Sequence, residues 1–283
     1  MHLCRPPIVS QKRDIIIIGA GLIGLCTADA LAARGATVTV VDKMPGPCEG
    51  TSFSNSGMIH PSQAISWEPK KSLPRDLLRA RFDAAFVTAR LAERSQELLT
   101  QKIDALGLSS HGGGCLQLFP DFEAAQTAQA EYIKLGIQTD IRIDPVETFG
   151  LSACYFPNDT SGDARQFGCA LAEDLAKRGV SFIYNAEALD FRRGQGRFFV
   201  RTSQGVTESD DLIIAAGARS PACFELLGVR LQLRSVAGAA ADFALPENRT
   251  DLPHCPIMDV HSRSTLTVFD LSLIHISEPT RPY

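Results

Sequence analysis

Asp14-Ile-Ile-Ile-Ile-Gly-Ala-Gly-Leu-Ile-Gly24, closed by Thr37-Val-Thr-Val-Val-Asp42, is the stretch that decides the fold of this chain. Four consecutive isoleucines suit a strand buried on both faces, as in the middle of a parallel sheet. Gly21 to Arg34 is rich in Ala and Leu and reads as a helix, with Gly35 placed to end it. Thr37 to Val41 is a second buried strand, so the three pieces make a β-α-β unit with short connections. Gly19, Gly21 and Gly24 then stand in a G-x-G-x-x-G pattern between strand and helix, the context a dinucleotide-binding turn requires. Gly19 permits the tight turn, Gly21 lets the backbone approach a pyrophosphate, and Gly24 lets helix and strand pack closely. The helix start offers free N–H groups and partial positive charge to the phosphates. Asp42, with Lys43 beside it, lies 23 residues beyond Gly19, where a carboxylate accepts hydrogen bonds from an adenosine ribose. A turn-capping acid beside Pro45 and Gly46 is the plainer role for Asp42, but it accounts for none of the other features.

Around this unit the chain is ordinary. Its 283 residues are 45% hydrophobic and 21% charged, room for one large domain or two modest ones. A net charge of −4 leaves no broad positive field for nucleic acid or anionic lipid. Lys12-Arg13 before the apolar run from Ile15 to Ala33 imitates a signal peptide. Three glycines and Asp29 interrupt that run, which a cofactor-binding strand and helix explains and a signal peptide does not. No other stretch is apolar and long enough to span a membrane. The eight cysteines form no C-x-x-C pair and none has a His at zinc-ligand spacing. That pattern points to a reducing, cytoplasmic setting without a structural metal, with Cys26 and Cys169 acting as small apolar helix residues.

Beyond Asp42, residues 45–74 read as loop with a short helix after Thr51, and Arg75 to Leu106 has the helical period. The apolar positions of that helix are Leu77, Leu78, Phe82, Phe86, Leu91, Leu98 and Leu99. Gly112 to Phe119 is strand-like, Asp121 to Leu135 and Asp163 to Arg178 are helical, and Val180 to Tyr184 is a buried strand. Three short strands follow around 187–193, 197–203 and 206–209, turned by Gly194-Gln-Gly196 and Gln204-Gly205. Asp211 to Ala216 is a strand ending at Gly217, and 229–243 and 264–269 read as strands of a second sheet. An NAD domain would continue with further β-α units. A three-strand meander in place of the crossover helix is instead the arrangement of the two-dinucleotide-domain fold, which favours FAD.

Leu271 to Arg281 reads as one frame of a common sequencing-library adapter, eleven consecutive residues long. Residues 271–283 are therefore left out of the expected fold, as a fusion scar would be. A natural C-terminal part is expected to follow Asp270.

The chain resembles the FAD-dependent D-amino-acid oxidase family, and most closely its D-amino-acid dehydrogenase branch. Asp14 to Pro61 carries the resemblance, including Gly50-Thr-Ser-Phe-Ser-Asn-Ser-Gly57. So do Gly113 to Phe119, Phe156-Pro-Asn-Asp-Thr-Ser-Gly-Asp163 and the strand through Gly217. By that resemblance Thr51, Ser52, Asn55 and Gly57 would line the flavin diphosphate and ring, where short hydroxyl and amide side chains bond at close range. Ala188 would make a backbone contact to adenine, and Ala216 with Gly217 a second one near the pyrophosphate. The implied fold is α/β: a glutathione-reductase-type FAD-binding Rossmann domain with a mixed-sheet α+β substrate domain, C-terminally truncated. Expected boundaries are a flexible leader 1–13, FAD-binding parts 14–74 and 151–228, substrate parts 75–150 and 229–270, and the adapter-like 271–283.

The implied chemistry is hydride transfer from the Cα–H of an amino acid to the flavin, then hydrolysis to a 2-oxo acid and ammonia. Electrons would pass to a quinone or respiratory carrier in a dehydrogenase and to O₂ in an oxidase. A sarcosine- or glycine-oxidase-like enzyme and a flavin-binding protein without turnover are the alternatives. No nucleic-acid partner is implied, and peripheral attachment to the cytoplasmic face of the inner membrane is compatible with a respiratory acceptor. Phe156 stands where Leu is usual in the family, and Ser235-Val-Ala-Gly238 where Pro-Leu-Lys-Gly is. The segments between Trp67 and Arg81 and between Gly150 and Tyr155 are shorter, so the substrate side differs. The Arg that grips the substrate carboxylate is expected beyond Asp270, so no catalytic residue is named and this chain is expected to hold FAD weakly and turn over little. His60 is expected to be structural or solvent-facing rather than flavin-facing.

Overall fold

The computed structural model describes residues 12–53, 55–64, 75–109, 112–144, 148–233, 238–244, 253–262, 264–269 and 273–279. In chain order the elements begin β1 (Asp14–Ile18), α1 (Leu22–Ala32), β2 (Thr37–Val41), β3 (Met58–Ile59), α2 (Arg75–Ala105), β4 (Cys115–Phe119) and α3 (Phe122–Lys134). Next come β5 (Asp140–Arg142), β6 (Ser152–Phe156), β7 (Thr160–Ser161), α4 (Ala164–Lys177), β8 (Ser181–Ile183), β9 (Ala188–Gly194), β10 (Arg197–Thr202) and β11 (Gly205–Ser209). The last are β12 (Asp211–Ile214), α5 (Ser220–Glu225), β13 (Gly238–Ala244), β14 (Ile257–Asp259), β15 (Ser264–Phe269) and β16 (Leu273–Pro279). Two compact units result: Met1–Ser54 with Ala164–Ser235, and Asn55–Asp163 with Val236–Tyr283.

In the first unit a four-stranded parallel sheet runs in the order β12-β1-β2-β8. The isoleucine run lies at its centre, with Ile15 to Ile18 all buried and Ile17 fully so. Burying each such side chain stabilises the fold by roughly 1.5–3 kcal/mol. The antiparallel meander β9-β10-β11 packs Phe191 and Val200 onto Ile16, Ile18 and Val41. Its first turn, Gln195-Gly196, has φ of 52° and 80°, the left-handed pair that matches the twist of a two-residue hairpin. Arg197 opens β10 and ties the meander to the sheet, reaching Asp14 at 3.4 Å and Glu208 at 3.0 Å. Arg178, just past α4, bonds Asp29 of α1 at 2.7 Å.

In the second unit a seven-stranded sheet has the order β13-β16-β15-β14-β4-β6-β5, antiparallel except for the β14–β4 pair. Helix α3 is opened by Asp121, whose Oδ1 accepts the Ala124 N–H at 2.8 Å. It covers one face with Tyr132, which meets Phe156 edge-on at 4.8 Å within a cluster that includes Phe119 and Leu135. Strand β3 forms a separate antiparallel pair with β7.

Several expectations are corrected. Pairing of β3 with β7, and of β6 with β4 and β5, draws residues 55–64 and 151–163 into the second unit. The divisions therefore fall at 54/55, 163/164 and 235/236 rather than at 74/75, 150/151 and 228/229. Residues 51–53 form a turn, not a helix. Of the strand expected over 229–243, residues 238–243 lie in β13, whereas 229–233 lie in no strand and Val229 and Leu233 are exposed; residues 234–237 lie outside the described residues. Among the described side chains of α2 the buried ones are Ala89 and Ile103, whereas Phe86, Leu91 and Leu98 are exposed. Leu77, Leu78 and Phe82 lie outside the described side chains, as residues 1–11 of the leader lie outside the described backbone. Cys26 is exposed rather than packed. Residues 273–279 pair with both β13 and β15. Alternating Leu273-Ile-His-Ile276 has strand propensity and backbone groups that pair whatever the origin of the segment.

Candidate functional site

Parallel strands β1, β2 and β12 end together, and the crevice at such carboxyl ends is where an α/β sheet takes its ligand. The chain leaves β1 through Gly19, whose φ of 114° only glycine adopts freely. A Cβ there would lie 2.4 Å from the Ala215 carbonyl oxygen, because the end of β12 presses against the turn. A Cβ on Gly24 would lie 1.9 Å from the Gly19 oxygen, so α1 sits directly on the strand it follows. Gly21 is the N-cap of α1 and brings no side chain to close the helix start. The Leu22 N–H there donates to Ser52 Oγ at 3.2 Å, which lays a hydroxyl over the first turn. The next N–H groups of a helix have no acceptor within it.

Asp42 is bound on both oxygens. Its Oδ2 accepts the Ala20 N–H at 2.7 Å and its Oδ1 the Met44 N–H at 2.9 Å. The acid thus caps its own turn and also ties the end of β2 to the glycine turn. Each carboxylate oxygen keeps a further lone-pair direction. Lys43, next in the chain, and Thr51 are exposed. Ala188, at the start of β9, and Ala216, just after β12, both pack against the Ile16, Ile18 and Val41 cluster. Gly217, with φ of 56°, turns the chain out of the sheet.

Of the residues singled out in the sequence, Gly19, Gly21, Gly24, Asp42, Ser52, Ala216 and Gly217 are thereby gathered at one end of the first unit's sheet. Asn55 and Gly57 belong to the second unit. There Asn55 Oδ1 accepts the Gly57 N–H at 2.8 Å, and Gly57 is buried with φ of 62°. Its carbonyl accepts the Gly162 N–H at 2.8 Å.

The sequence did not reveal a buried polar chain in the second unit. Tyr132 OH donates to Gln117 Oε1 at 2.9 Å, Gln117 Nε2 to Ser62 Oγ at 3.3 Å, and Ser62 Oγ to Asp159 Oδ2 at 2.6 Å. Burial pushes the Asp159 carboxyl up to about 7, against the hydrogen bonds from Ser62. Nearby, burial lowers His60 to about 4, which keeps its ring neutral, and its buried Nδ1 has no partner. No composition or spacing signal marks such a chain, since its members come from a helix, a strand, a 3-10 turn and a loop far apart in sequence. Among the described residues no three His, Cys, Asp or Glu side chains are grouped as metal ligands. No described helix is long and apolar enough to cross a membrane.

A turn in which Gly19 and Gly24 leave no room for a Cβ, at a helix start whose N-cap is a glycine and with an acid bonded beside it, fits the diphosphate and ribose of a dinucleotide. With the meander next to the parallel sheet, fold and site define a dinucleotide-binding protein of the two-domain flavoprotein type. The family model described as FAD dependent oxidoreductase (DAO) matches residues 14–270, and the chain belongs to that family. FAD is its cofactor and oxidoreduction its activity. The chain is similar to the D-amino acid dehydrogenases of Rhizobium rhizogenes, 27% identical, and Sinorhizobium medicae, 28% identical. Each match covers 89% of this chain and 72% of the relative. A third, from Cereibacter sphaeroides, is 30% identical over 79% of this chain and 63% of the relative. Among solved structures, glycine oxidase from Geobacillus kaustophilus superposes with a TM-score of 0.78 at 20% identity, covering 96% of this chain and 73% of that one. L-proline dehydrogenase from P. horikoshii gives 0.74 at 20% identity, covering 94% and 69%. These likenesses are of fold.

Proposed function

We propose that this protein oxidises the C–N bond of D-amino acids to 2-oxo acids and ammonia and delivers the electrons to a quinone or another respiratory carrier. The glycine turn between β1 and α1 carries the cofactor part of this reading, because no Cβ fits at Gly19 or Gly24 and strand, turn and helix start pack backbone to backbone. Gly19, Gly21, Gly24 and Ser52 would hold the FAD diphosphate, and Asp42, with Lys43 alongside, the adenosine ribose. Ala188, Ala216 and Gly217 would meet adenine and pyrophosphate through backbone, and Thr51, Asn55 and Gly57 the flavin end. FAD, when bound, supplies the two-electron acceptor. The protein's part is to hold the substrate with its amine neutral and Cα–H aimed at the ring; water then splits the imino acid to 2-oxo acid and ammonia. The substrate class is supported by the names of the curated relatives.

The test titrates the protein with FAD, following flavin fluorescence, and then adds D- or L-amino acids anaerobically. Bleaching of the flavin absorbance by D-enantiomers alone, slow in a chain expected to hold FAD weakly and turn over little, is the expected result. Turnover with a quinone-like dye and no peroxide supports the dehydrogenase, whereas peroxide release without the dye selects an oxidase. Flavin that binds but is never bleached sinks the enzymatic reading for this chain.

A further inference from the structure

Every hydrogen bond in the buried chain of the second unit points one way, from Tyr132 through Gln117 and Ser62 to Asp159. A row of donors oriented in one direction needs a strong acceptor at its end, and an ionised carboxylate is the strongest a side chain offers. Asp159 is only 2% exposed and Ser62 fully buried, so neither bond is replaced by water. Asp159 holds Ser62 through the short hydroxyl bond at 2.6 Å.

Ser62 belongs to the 3-10 turn Pro61–Ala64 that directly follows β3. The stretch before it is held as well. β3 pairs with β7, Gly57 O accepts the Gly162 N–H, and Thr267 Oγ1 donates to Ser56 O at 2.7 Å. Residues 55–62 are therefore suspended between an anchor at Asp159, a two-residue ladder, and Thr267. Of these, the Asp159 grip is the one that titrates.

Asp159 also lines a cavity of about 240 Å³, together with Pro61, Phe156 and Asn158. The groups facing its carboxyl are Ser62, Gln117 and the Cys115 thiol of β4, Tyr132 of α3, and Glu93 and Glu97, which line the same cavity from α2. None of these is a cation, so burial is opposed only by the Ser62 hydrogen bonds and the proton is held to about pH 7. Below that pH the carboxyl loses acceptor strength and the end of the donor row slackens.

We propose that Asp159, acting through Ser62, is a positioning residue that holds Asn55–Gly57 in the shape that receives the flavin. This rests on the reading above that Asn55 and Gly57 touch FAD. Ionisation and FAD binding are then linked, and reciprocity requires affinity to fall as pH drops through about 7.

The experiment measures FAD affinity between pH 6 and 8 for the unmodified chain, Asp159→Asn and Ser62→Ala, with hydrogen exchange of the peptide covering 55–63. The expected result is roughly five-fold weaker binding at pH 6 than at pH 8 in the unmodified chain. Asp159→Asn should be weak and flat with pH, with faster exchange in the peptide. Ser62→Ala, which keeps the carboxyl and serves if Asp159→Asn does not fold, should also bind FAD more weakly and exchange faster. An unaltered pH slope in Asp159→Asn, or unaltered exchange in both variants, overturns the proposal. Exchange that responds while no FAD binds at any pH overturns it differently: the flavin reading fails, and the grip itself is seen to exist.

Discussion

A Cβ added to Gly24 would meet the backbone oxygen of Gly19 at 1.9 Å, and backbone cannot rotate aside as a side chain can. Gly24→Ala must therefore push α1 off β1 or distort the turn, a cost of about 1–3 kcal/mol. Because the same displacement moves the N–H groups of the helix start, FAD affinity should fall at least about ten-fold. Urea unfolding and flavin titration of the variant measure the two effects separately. Unchanged affinity would show that the phosphates rest elsewhere. The tight turn at Gly19 and the close packing at Gly24 were legible from spacing alone, since a short-range pattern dictates short-range geometry. For Asp42 the place at the end of β2 and the turn-capping role were legible, the latter seen in its bond to Met44, but the tie to Ala20 was not. Asp159 was not legible, because what marks it is burial supplied by partners on a 3-10 turn, a strand and a helix distant in sequence.

Elements with one strong period were read nearly to the residue. β1, β2 and β15 have the bounds their apolar runs suggest, and α3 starts where Asp121 and Glu123 signal an N-terminus. Asp121→Ala removes the acceptor for the Ala124 N–H and should lower stability by about 1 kcal/mol, with Asp121→Asn close to neutral. The urea midpoint of each variant checks this, and equal loss in both would assign the effect to charge rather than to the cap. Elements that lack a period of their own were missed: β5, β7 and β14 are two or three residues long and exist because a neighbouring strand offers pairing. The apolar residues of α2 had the right spacing, yet Phe86, Leu91 and Leu98 are exposed, since periodicity defines a face without saying what covers it.

At the scale of the whole molecule, β16 decides how the second sheet ends. It lies between β13 and β15, so a chain stopped at residue 270 leaves β13 without a partner and β15 with an open edge. Such a shortened chain should unfold at lower urea and associate more readily, as seen by unfolding curves and light scattering. Equal stability would show that residues 271–283 are dispensable, as an adapter-derived tail would be. The division into two units likewise lay beyond composition. No linker marks 54/55 or 163/164; long-range strand pairing sets them.

The amino-acid order by itself determined the β-α-β unit, the glycine turn, the meander, and hence the cofactor class, because each depends on neighbours within a few tens of residues. Only the tertiary structure decided where the units divide, which helix face is covered, and that Asp159 is buried at the end of a row of donors. Those properties arise where distant segments exclude water together, and no local pattern of residues encodes which segments will meet.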